Sequence, residues 1–125
     1  MKKFLLSLFL IYSLSLLAQE KNEWEDWQKT SCYSNLSFRM KSEPKRGEQF
    51  HWKIQFRSNY PKLVSFNYNI TDKLEQYSTT THRKTLNANQ LSDEIDIYTQ
   101  QEDIFILVDK LSLSPFPKDF EDCDN

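Results

Sequence analysis

A single glycine, Gly47, stands in the 125 residues. That scarcity excludes the glycine-cradled phosphate sites of nucleotide-binding loops, which need several glycines close together. Histidine is nearly as rare, with only His51 and His82. Neither belongs to a His-Glu-x-x-His pattern, and no serine sits in a strand-to-helix nucleophile motif. Cysteine is limited to Cys32 and Cys123; two thiols and two dispersed histidines make a poor zinc set. No catalytic residue, metal ligand or cofactor is therefore expected. No repeat or low-complexity tract is present. The net charge is only −2, which gives no general attraction to nucleic acid or anionic lipid.

Long apolar runs are also lacking, with one exception at the start. Lys2 and Lys3 precede Phe4–Ala18, an apolar stretch that turns polar at Gln19 and Glu20. A positive start, an apolar stretch and a small residue at the junction read as a secretory signal peptide over residues 1–18. The stretch is too short and too early to be the only membrane span of a mature protein. The working chain is expected to begin near Gln19 in the periplasm, at the cell surface or in the medium, where Cys32 and Cys123 can oxidise. Losing Lys2 and Lys3 takes the net charge from −2 to −4. The lysine start and low glycine content fit a bacterial source. The expected organisation is a strap over 19–29 followed by one domain over 30–125.

What the chain has in quantity is aromatic side chains, with nine Phe, six Tyr and three Trp. Each buries roughly 150–250 Å², so few are needed to build a core. They fall into period-two alternation. Cys32, Ser34, Leu36, Phe38 and Met40 lie on one face of a run whose other face is Tyr33, Asn35, Ser37, Arg39 and Lys41. Phe50, Trp52, Ile54 and Phe56 alternate with His51, Lys53, Gln55 and Arg57. Val64, Phe66, Tyr68 and Ile70 alternate with Ser65, Asn67, Asn69 and Thr71. Such half-apolar runs predict antiparallel strands with one buried face. Ser42–Glu48, with Pro44 and Gly47, reads as a turn, and Asn59–Lys62 as a hairpin loop. Threonine-rich Tyr77–Leu86 reads as an edge strand. Ile95–Thr99 is a short strand, and Ile104–Val108, apolar on both sides, reads as a central strand closed off by Pro115 and Pro117. Six strands result, or seven if Glu23–Lys29 also pairs. A single all-β antiparallel sandwich is the expected fold.

Trp52 within Phe50–Phe56, its expected partner run Val64–Ile70 and the late strand Ile104–Val108 resemble secreted immunoglobulin-like and fibronectin-III-like modules. The resemblance implies a two-sheet sandwich and nothing about activity. One feature departs from it. Cys123 lies beyond the last strand, so the intersheet cysteine pair of antibody domains is missing. A Cys32–Cys123 bond is expected instead as a clamp between the first strand and the tail.

Candidate sites follow from charge and exposure. Residues 39–57 carry a net +4 and residues 93–125 a net −8. Arg39, Lys41, Lys53 and Arg57 share the solvent side of two strands, a surface for an anionic protein partner. Trp24 and Trp27 make either an aromatic platform or a strap over an open end of the sandwich. Asp93, Glu94 and Asp96 lack the order of a calcium loop. Asn35-Leu-Ser37 and Asn69-Ile-Thr71 match the glycosylation triplet, with both asparagines outward by alternation. The sequence favours a secreted, non-enzymatic module that binds or assembles through a face or sheet edge, its partner another extracytoplasmic protein. A carbohydrate-binding accessory or small hydrolase would instead use the tryptophans with His51 or His82, and a purely structural envelope component would form oligomers.

Overall fold

The computed structural model describes residues 23–72 and 81–125. Over these the chain is all-β, with seven strands: β1 (Gln28–Lys29), β2 (Leu36–Arg46), β3 (Gln49–Ser58), β4 (Val64–Asp72), β5 (His82–Leu86), β6 (Ile95–Thr99) and β7 (Ile104–Ser112). They form two antiparallel sheets, ordered β1-β2-β3-β6 and β5-β4-β7. Among the described residues no helix is long and apolar enough to cross a membrane. Residues 1–18, and with them the expected leader, lie outside the described residues, as do residues 19–22 and 77–80.

Alternation decides which face is buried. Leu36, Phe38 and Met40 of β2, Ile54 and Phe56 of β3, and Ile97 of β6 join Val64, Phe66 and Tyr68 of β4, Leu86 of β5, and Ile106 and Val108 of β7 in one core. The sheets meet through aromatic rings: Phe56 stands 5.0 Å from Phe66 and 5.1 Å from Tyr68 between ring centroids. Trp52 and Phe50, at the far end of β3, are only half-buried, with Trp52 packed on the margin of the core.

Several expectations need correction. The expected turn over 42–48 shrinks to Gly47 and Glu48, because β2 continues to Arg46. A register shift between Glu43 and Arg46 absorbs Pro44, which cannot donate to a regular ladder. Gly47 then takes φ 63 as the first turn residue, a conformation open to glycine without steric cost. At the other end, Cys32–Asn35 is a turn rather than a strand, and Tyr33 is buried instead of facing water. The Asn59–Lys62 break is not a hairpin. β3 pairs with β2 and β6, β4 pairs with β5 and β7, and the chain crosses between sheets. Ile104–Val108 is not central either; β4 is, and β7 lies at the edge. Asn69 is 4% exposed and accepts a hydrogen bond from Thr81 Oγ1 at 3.0 Å, so only Asn35 of the two triplets faces solvent.

After β7 the tail returns to the Thr30–Leu36 turn. Cys32 and Cys123 are disulfide-bonded across 91 residues of sequence. Around the bond, Asp124 N–H donates to the Cys32 carbonyl at 2.9 Å, and Ser34 N–H donates to Asp124 Oδ1 at 2.7 Å. The buried Tyr33 hydroxyl accepts from Leu111 N–H at 3.2 Å and donates to the Glu121 carbonyl at 3.3 Å. Tail, turn and last strand are thereby held as one unit.

Tyr60, in the crossover beside this tail, has its phenol pushed up to about 12, chiefly by burial, with the charge of Asp124 adding to it. A folded pKa above the unfolded value of about 10 means the fold favours the neutral phenol. That contribution is complete below pH 10 and is lost as pH rises through 12. Urea midpoints measured from pH 9 to 12 should fall more steeply for the native chain than for Tyr60→Phe, which has no proton to lose there.

Candidate functional site

The N-terminal segment runs antiparallel along the edge of β2. Glu25 N–H donates to the Met40 carbonyl at 2.8 Å, and Gln28 and Lys29 pair with Phe38 and Ser37. In an unbroken strand Trp24 and Trp27, three apart, would point to opposite faces. The backbone between them is irregular, and both rings reach the outer face of the four-stranded sheet.

There they interleave with the cations of β2 and β3. The Arg57 guanidinium lies 4.2 Å from the Trp27 ring centroid, and that of Arg39 lies 4.8 Å from Trp27 and 4.5 Å from Trp24. Lys41 Nζ follows, 5.2 Å from Trp24. Cation and ring thus alternate along the sheet, each contact worth about 0.5–1 kcal/mol when exposed and more when desolvated. Arg39, the middle rung, also donates to Gln55 Oε1 from Nε at 3.0 Å and from Nη2 at 2.7 Å. Five of the six expected binding residues therefore converge, but on one another. The tryptophans strap the sheet's outer face rather than an open end, and cations occupy their ring faces where a sugar would stack. Arg39→Ala should cost about 1–3 kcal/mol in urea unfolding and red-shift the tryptophan emission. Arg39→Lys, which keeps charge without the planar fork, should fall between.

Lys53, the sixth residue, faces Lys41 across the β2–β3 ladder but pairs away from it, with Glu94 at 3.4 Å. That hydrogen bond, then the Glu94 charge, raises the ammonium pKa. Asp93 bonds Lys84, which holds its carboxyl below the usual range, and Asp96 bonds His51 Nε2 at 2.8 Å. The acidic run is therefore spread over three separate partners, Lys84, Lys53 and His51. Among the described residues no group of three His, Cys, Asp or Glu side chains could hold a metal ion. His51 also stacks on Tyr98 at 4.5 Å, and His82 stacks on Tyr68 at 5.0 Å. The His51–Asp96 pair supplies an oriented imidazole, yet among the described residues no hydroxyl or thiol is hydrogen-bonded to it as a nucleophile.

A second feature was not expected. On the side of the molecule where β1 and β7 are the sheet edges, a cleft of about 510 Å³ opens between them. Phe38, Met40, Trp52, Ile104 and Ile106 give it an apolar lining; Glu25, Lys29, Glu102 and Asp103 give it polar groups. β7 pairs only with β4, and among the described residues no strand covers its other edge. Phe105, 42% exposed, and the half-buried Leu107 lie there too. The available signal was the run Ile104–Val108 itself, apolar at every position and so in want of partners on more than one side. Compared with protein-family models, with curated proteins and with solved structures, the chain matches none.

Proposed function

We propose that this is an exported, non-enzymatic module of immunoglobulin-like sandwich type that binds another extracytoplasmic protein through the open edge of β7. The observation that carries this reading is the nine-residue strand β7, apolar from Ile104 to Val108, whose edge away from β4 is covered by no strand among the described residues and lies beside a partly apolar cleft. Unpaired strand edges template pairing with another chain unless they are blunted, and edge addition is a recurring mode of peptide recognition.

Strand order supports the sandwich type. On this reading β2-β3-β6 would correspond to strands A, B and E, and β5-β4-β7 to C′, C and F. In that frame strand G, which would lie beside β7, has no counterpart among the described residues. The disulfide fits an oxidising compartment, and the Lys2–Ala18 stretch fits export. The outer face of the other sheet is the weaker candidate, because its cations are already engaged with Trp24, Trp27 and Glu94.

The test is affinity capture from the extracytoplasmic fraction of the source cells with the exported chain and with its Phe105→Lys variant. A lysine on an exposed edge position opposes strand addition while leaving the core face untouched. A co-purifying protein lost from the variant is the expected result. The same proteins retained by both baits would overturn the reading.

A further inference from the structure

The geometry points to a specific chemistry for the occupant of the β7 edge: an extended segment of a partner protein, apolar at alternate positions and basic at its C-terminal end. This inference rests on the edge-binding reading above and deepens it. The other edges of the two sheets are protected or short. β5 has five residues and presents His82, Arg83 and Lys84; β6 has five and presents Asp96; β1 has two. Charged side chains and short length are how sheet edges are kept from pairing. β7 has nine residues, and from Ile104 to Val108 it carries no charge at all.

An incoming strand beside β7 would extend β5-β4-β7 to four strands and lie along the cleft. One of its faces would meet the lining of Phe38, Met40 and Trp52. Side chains alternate across a strand, so apolar residues are required at every second position only. Charge then fixes the end. Glu102 and Asp103 stand where β7 begins, and Glu25 faces the same cleft, against the single cation Lys29. Every strand pair in both sheets is antiparallel. An antiparallel addition brings the C-terminus of the incoming strand to those carboxylates.

A second copy of this chain fits less well. Two β7 strands paired about a twofold axis with Ile106 opposite itself would set Asp103 against Asp109 of the other copy. Like charges directly opposed across a ladder are destabilising.

Synthetic peptides of nine residues test this on the full exported chain. One alternates valine and threonine and ends in two lysines, a second ends in two glutamates, and a third scrambles the first. At low salt the lysine-ended peptide should bind at least about tenfold more tightly than the glutamate-ended one, with the gap closing as salt is raised. Bound peptide should slow amide exchange at Ile104–Asp109. The Glu102→Lys/Asp103→Lys double variant, changed only at exposed positions, should reverse the preference. Equal affinity for both ends, an unchanged preference in the double variant, protection elsewhere, or no binding by any peptide would overturn the inference. So would self-association that protects the same amides in the free protein. If Phe105→Lys abolishes capture of a natural partner while the peptides show no charge preference, edge binding stands and this chemistry falls. If Phe105→Lys changes neither capture nor peptide binding, edge binding itself falls.

Discussion

Reducing the Cys32–Cys123 bond should lower stability by about 3–5 kcal/mol, which for a domain of this size is a fall in Tm of roughly 15–20 °C. The magnitude comes from the length of chain the bond closes. With the cysteines 91 positions apart in sequence, the cross-link removes more freedom from the unfolded chain than a short loop would, while the dependence on length is only logarithmic. The effect should come in one cooperative step. The tail's bonds from Asp124 to Cys32 and Ser34, and the Tyr33 bridge between Leu111 and Glu121, share the anchor that the disulfide sets. Thermal melts with and without reductant, beside a Cys32→Ser/Cys123→Ser variant that reductant cannot affect, provide the measurement. A shift of only a few degrees would mean that the tail is held by those hydrogen bonds and that the bond adds little to them.

Phe56→Ala should cost about 3–5 kcal/mol, the range for removing a large buried aromatic side chain. Phe56 is fully buried and belongs to the four-stranded sheet. Its closest aromatic neighbours, Phe66 and Tyr68, belong to the other sheet, with Phe38 of its own sheet at 6.5 Å. Truncation therefore opens a cavity where the sheets meet and removes three ring contacts at once. Against a total of about 5–15 kcal/mol for a typical domain, that is a large share. Phe105→Ala is the internal control. Its ring lies on the exposed side of β7, so urea unfolding should change by no more than about 0.5 kcal/mol. Two phenylalanines with opposite energetic weight would separate the face that builds the fold from the face that does not. A comparable loss for both would mean that β7 is covered by something the free edge does not reveal.

Sequence reasoning reached the strands wherever one face alternates cleanly with the other. Phe50–Phe56 and Val64–Ile70 carry their apolar residues at every second position, and of these Ile54, Phe56, Val64, Phe66 and Tyr68 are buried, although Gln55, Ser65 and Asn69 of the opposite sets are buried too. It failed where a strand is irregular or two-sided. Pro44 signals a break in any linear reading, yet the register shift between Glu43 and Arg46 carries β2 past it. The ladder of Arg57, Trp27, Arg39, Trp24 and Lys41 was invisible because a spacing of three means opposite faces in a regular strand. Only the irregular backbone of residues 24–27, docked on the edge of β2, turns both rings the same way. The charge asymmetry between residues 39–57 and 93–125 was legible, but not its use: part of it is spent inside the fold, where β3 pairs with β6.

By itself the sequence determined the all-β class, the side of each regular strand that turns inward, and the two cysteines available to pair. Those are local properties, set by a side-chain period of two and by composition. Which strands are neighbours was decided only in three dimensions. Hydrogen-bonded partners are chosen by the whole chain at once, so β3 and β4, adjacent in sequence, part into different sheets. The same global choice places the most apolar strand at an edge, and the open cleft beside β7 exists for that reason.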